Sequence, residues 1–132
     1  MIDEAQKQAI RVRLTQAHET LEESATLLKH QLWRGTINRA YYAMFYAVLA
    51  LAALRQVSVS KYTHAITFFD KEFIKTAIFS KEFSRSLHYA FDERLAGDYG
   101  GLSEIEEGEA QTAYSEAKSL VEAVSEYLMP ML

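Results

Sequence analysis

Arg94, Asp98 and Tyr99 come closest, by type and spacing, to a reactive site in this chain of 132 residues. A guanidinium grips a phosphate through two parallel hydrogen bonds, and Arg is the side chain best shaped for it. Its neighbours fit that chemistry less well. A carboxylate at Asp98 repels a phosphodiester, and a tyrosine phenol ordinarily titrates at about pH 10, away from the range useful for moving protons. Two structural roles stand beside the chemical one. Arg94 and Asp98 are four apart and share one helical face if the helix continues that far. Alternatively, Asp98 turns inward to Arg39 or Asn38 and Tyr99 plugs the end of a bundle.

Asn38, Arg39 and Tyr42 form a second group, at the head of fifteen uncharged residues that separate Arg39 from Arg55. The run holds no Gly or Pro and Val48 is its only β-branched member, so it reads as helix. Fifteen residues reach about 22 Å, short of a bilayer's core of about 30 Å. A helix apolar nearly all round and too short to span a membrane is the buried centre of a bundle. The polar tips of Asn38, Arg39 and Tyr42 are therefore expected to be buried and paired.

Basic residues recur through the middle third as Lys61, Lys71, Lys75, Lys81 and Arg85, with Tyr62 and several Phe between them. That mix suits single-stranded RNA, bound by phosphate contact and stacking, with Lys81 and Arg85 as the candidate contacts; a solvated basic face is the plainer reading. His64 heads a helix and reads as a capping or hydrogen-bonded residue. His18, His30 and His88 have no carboxylate spacing that resembles a metal site, and the Glu104–Glu109 charge run fits no calcium loop. With no cysteines, zinc-thiolate sites and thiol nucleophiles are excluded. No metal and no cofactor is expected.

The elements that position these groups are all helical. The first helix should start at an Asp3 cap, run to about Leu32 and stop at Gly35, burying Ile10, Leu14, Ala17, Leu21, Ala25, Leu28 and Leu32. Trp33 is available as an anchor at that turn. A second helix follows from about Thr36 to Gln56, then a short one from about Thr63 to Ile74. Ser80 caps a fourth, which carries Phe83, Leu87, Ala90, Phe91 and Leu95. Gly97 ends it and opens a Gly-rich stretch. The last helix runs from about Glu107 to Leu128, where Pro130 closes it. The fold class is all-α: one domain over 1–132, an up-down bundle of four long helices and one short one. The N-terminus lacks a secretory pattern, so a cytoplasmic location with no membrane role is expected. Charge divides unevenly, from +4 over residues 1–91 (twelve basic, eight acidic) to −8 over 92–132 (two basic, ten acidic). Any nucleic-acid contact belongs to the first part.

Three segments carry a family resemblance. Asn38-Arg39-Ala40-Tyr41-Tyr42-Ala43-Met44-Phe45-Tyr46-Ala47 resembles the signature of the HEPN domain family, small helical proteins of prokaryotes often found beside minimal nucleotidyltransferases. Tyr62-Thr63-His64 with Phe68, Phe69, Phe73, Ile74 and Lys75 resembles the family's Thr-His and Phe-rich middle section. Arg94 to Tyr99 resembles its Arg-x-x-x-Asp-Tyr segment. The resemblance covers the chain from the first helix onward. It implies a homodimer; the clustered aromatics Tyr62, Phe68, Phe69 and Phe73 fit either its interface or ordinary core packing. It also implies a nucleotidyltransferase partner in a toxin–antitoxin-like or stress-response pair, and a link to RNA. Members of the wider group that act as metal-independent ribonucleases place a His four to six residues after an Arg. Here Arg94 is followed at that distance by Asp98, Tyr99 and Gly100, and Arg85 with His88 is too closely spaced. The leading expectation is thus an interaction module; the alternative is an endoribonuclease using Arg94 with Tyr99 or Asp98.

Overall fold

In the computed structural model, which describes residues 2–91 and 106–132, helices begin and end where local hydrogen bonds allow. Asp3 accepts a hydrogen bond from the Gln6 N–H over 2.8 Å and starts α1, Glu4–Lys29. The helix ends three residues short of Leu32. Gln31 adopts φ 60°, and the N–H groups of Gln31 and Leu32 turn back to the carbonyls of Leu28 and Leu27. This closure is more usually built on Gly. Helix α2, Trp33–Arg55, consequently takes Gly35 into its first turn. Gly35 is not a stop but a close-approach residue: a Cβ there would sit 3.1 Å from Leu27 Cδ1. Helix α2 ends the same way as α1, with Gln56 at φ 57° and the Val57 N–H bonded to the Ala52 carbonyl.

At 23 residues α2 is about 34 Å long, more than the uncharged run alone suggests. By length and composition it matches a membrane span. Its packing is that of a core helix: Ile37, Ala40, Met44, Ala47, Val48 and Leu51 are fully buried. Gln6 reaches the Leu54 carbonyl at one end and Ser24 the Thr36 carbonyl at the other, so α1 and α2 are antiparallel. Helix α5, Glu107–Leu128, lies antiparallel to α1, with His18 at Ser125 and Arg11 at Leu132. Its inward positions are those the spacing picks out, Ala110 through Leu128. The buried stripe of α1 also takes in Thr20 and Ser24, whereas Ala25 and Leu28 are only partly buried and Leu32, beyond the helix, is exposed.

Helix α3, Tyr62–Phe69, runs into a π-helical turn at Asp70–Ile74. Phe68, Phe69 and Phe73 are at most 5% exposed and stack among themselves, on Phe79 and on Tyr127 of α5. Of the two roles open to these aromatics, interface or core, Phe68, Phe69 and Phe73 take the core one. Ser80 accepts from the Glu82 N–H and caps α4, Lys81–His88, after which residues 89–91 form another π turn. The architecture is all-α. Among the described residues three helices exceed twenty residues, whereas α3 and α4 each have eight before their hydrogen bonding changes to the π pattern.

Candidate functional site

The polar head of α2 is a half-buried strip rather than a buried site. Asn38, Arg39 and Tyr42 are each partly exposed, Arg39 by 33% of its side chain. Arg39 donates from Nε and Nη2 to Asn38 Oδ1, at 3.1 and 2.9 Å, and its Nη1 stands 3.6 Å from Glu23 Oε1 on α1. The guanidinium also covers the Tyr42 ring at 5.0 Å from its centroid. A cation held against a carboxylate and a π face needs no further partner to be stable at a protein surface. The reason for the difference is geometric: three residues after Ile37, the core-facing position of α2 is Ala40, which leaves 38 and 39 on the flanks.

From Tyr42 the strip continues to α3. Tyr62 donates its hydroxyl to Tyr42 Oη over 2.8 Å, and the two rings meet edge-on. Phe45 and Phe91 complete the aromatic cluster. Beside it lies an open pocket of about 390 Å³ lined by Phe45, Ser60, Lys61, Tyr62 and Thr63. His64 is exposed at the head of α3.

The basic candidates fall on the surface of α4 and of the π turn before it. Lys81 and Arg85 are exposed, as are Lys71 and Lys75. Arg85 borders a second depression of about 390 Å³ between α4 and α5, together with Ser86, Tyr89, Ser115, Glu116 and Ser119. Ser86 donates to Glu116 there over 2.6 Å, so this depression offers an anion one guanidinium beside a carboxylate. Phosphate contact by Lys81 and Arg85 has to come from the open side.

The fold also assembles a group that linear spacing did not reveal. Asp70, at the start of the π turn, accepts from Ser84 at Oδ1 (2.6 Å) and meets His88 Nε2 at Oδ2 (2.8 Å). Ser84 and His88 are four apart on α4, so one carboxylate spans a full turn of that helix. The signal for it in sequence was weak: Asp70 is eighteen residues from His88, and only the packing of α4 against the π turn brings them together. Among the described residues no cluster of three or more His, Asp or Glu side chains could hold a metal ion. The Arg94, Asp98 and Tyr99 candidates lie outside the described residues, as do their proposed contacts with Arg39 or Asn38.

Comparison with known proteins gives the chain a family and relatives. The model of the HEPN domain matches residues 10–127. A UPF0332 protein of Thermotoga maritima is 34% identical over 112 residues, covering 85% of each chain. Two proteins of Methanocaldococcus jannaschii, each named as a putative toxin, are similar as well. One is 28% identical over 93% of this chain and 84% of its own length, the other 25% identical over 96% and 93%.

Proposed function

The chain belongs to the HEPN domain family, and on that premise we propose that it is the toxin-like member of a two-protein system. In this reading it acts in the cytoplasm as a homodimer, its partner is a minimal nucleotidyltransferase, and its α4 face engages RNA. The observation that carries it is the reach of the alignments. The relatives bearing a toxin name match over 93% and 96% of this chain. Support for the RNA contact is the exposure of Lys71, Lys75, Lys81 and Arg85 along one stretch of chain. Because Phe68, Phe69 and Phe73 are spent on the core, the dimer must use other surfaces.

The reading is tested by inducing the protein alone and together with the product of the neighbouring gene. Growth arrest relieved by a co-expressed nucleotidyltransferase supports it; no arrest, or arrest that no neighbour relieves, overturns the two-protein part. A sedimentation mass near that of a single 15.1 kDa chain at micromolar concentration removes the dimer. RNA cleavage that survives EDTA and disappears in Arg94→Ala would replace the interaction module with an endoribonuclease.

A further inference from the structure

A further surface depression lies between α1 and the end of α5, and two of its rim residues, Glu19 and Glu22, also border the depression that holds Glu23 and Arg39. The depression between α1 and α5 measures about 640 Å³ and is lined by Leu14, His18, Glu19, Glu22, Met129 and Leu132, with Arg11, Thr15 and Ser125 between them. Its floor is apolar. Met129, at 60%, is the most exposed large hydrophobic side chain among the described residues. A thioether left in water at the mouth of an apolar groove is a common feature of surfaces that receive a partner, since Met adapts its shape to what docks.

The charges around the groove are not equivalent. Arg11 is tied to the chain's own Leu132 carbonyl at 3.2 Å, and the His18 ring to Ser125 Oγ at 2.7 Å. Glu19 and Glu22 are exposed and take part in none of the ion pairs among the described residues. The rim therefore presents, above an apolar floor, two carboxylates that form no ion pair among the described residues. Along α1 the lining runs from Arg11 to Glu22, a span of about 16 Å or three helical turns. We propose that this groove docks a basic amphipathic helix of a partner protein, apolar side chains on Leu14 and Met129 and Lys or Arg against Glu19 and Glu22. Helices bound in grooves anchor through residues spaced three, four and seven apart, and three turns accommodate that set.

The inference gives a surface to the partner in the reading above but does not depend on that partner being a nucleotidyltransferase. Its test uses the full chain and a synthetic fluorescent peptide of about four helical turns, Leu on one face and Lys on the other, with a Leu/Glu peptide as control. Anisotropy at near-physiological salt should show binding of the Leu/Lys peptide and none of the Leu/Glu peptide. Glu19→Lys with Glu22→Lys should weaken it at least about tenfold, as expected when a hot-spot charge pair is reversed. Met129→Glu separates the groove from mere attraction. If the apolar floor matters, this variant binds about tenfold more weakly despite its added negative charge. Three results overturn the proposal. One is no binding by the wild-type chain. Another is equal weakening by the distant pair Glu4→Lys and Glu107→Lys, with Met129→Glu binding as well as wild type. The third is a peptide-free dimer that Met129→Glu dissociates, which would make a second copy the occupant. Circular dichroism melts of each variant confirm that the exposed substitutions leave the fold intact. Failure here leaves the growth assay standing, so the two readings fail separately.

Discussion

Asp70 and His88 meet at 2.8 Å although eighteen residues separate them, and Ser84 holds the other oxygen of the same carboxylate. The pair fastens the π turn after α3 to α4. Both groups are part-exposed, with side-chain accessibilities of 31% and 47%, so solvent screens their attraction. Asp70→Ala should therefore destabilise the chain by about 1–2 kcal/mol, the loss of two part-exposed hydrogen bonds to one carboxylate. A double-mutant cycle with Ser84→Ala, read from urea melts, should return a coupling above about 0.5 kcal/mol. Additive losses would mean that the Ser84–Asp70 bond contributes nothing to stability.

Arg39 tests how far the polar head of α2 is buried. A fully buried pair broken from one side costs about 3–5 kcal/mol. With a third of its side chain exposed and Glu23 at 3.6 Å, Arg39 should contribute far less. Arg39→Ala is expected to cost about 1 kcal/mol, most of it from the lost stacking on Tyr42. A loss near 4 kcal/mol in a denaturant melt would show that other residues bury it.

Gln31 and Gln56 both close a helix at positive φ, where a side chain is strained. Gly there removes the Cβ conflict that a non-glycine residue carries in this region. Gln31→Gly and Gln56→Gly should each raise stability by about 0.5–1 kcal/mol. Gln56 also lies 3.5 Å from Gln6 Oε1, so its gain should be the smaller of the two. A lower melting temperature for Gln31→Gly would contradict the strain argument.

Lys81 and Arg85 lie on the surface without ion pairs among the described residues. If they contact phosphates, Lys81→Ala and Arg85→Ala should each lower RNA affinity uniformly across sequences. Each should also reduce the slope of log affinity against log salt by about 0.7. The measurement is a filter-binding or anisotropy titration at several salt concentrations. An unchanged slope would move the nucleic-acid contact elsewhere.

The helices themselves were legible because each depends on short-range periodicity. The α5 stripe, Ala110 to Leu128, repeats at three and four, and the same residues are buried in the fold. Caps at Asp3 and Ser80 were equally readable, since an N-cap is a bond between a side chain and a backbone N–H two or three residues on. Helix C-termini were less so: two of them close on Gln, and Gly35, the obvious stop signal, is held inside α2 by its contact with Leu27.

By itself the sequence determined the all-α class, the uncharged central helix and the family to which the chain belongs, because composition, local spacing and motif order are properties of neighbours along the chain. Only the tertiary structure decided which side chains meet. It turned Phe68, Phe69 and Phe73 into the core, placed Arg39 on Glu23 and Tyr42 at a half-exposed edge, and gave His88 its carboxylate. The physical reason is common to all three. A side chain's partner is set by the rotation of its helix about its own axis and by the angle at which the next helix returns. Packing of the whole core fixes both, and no single segment encodes them.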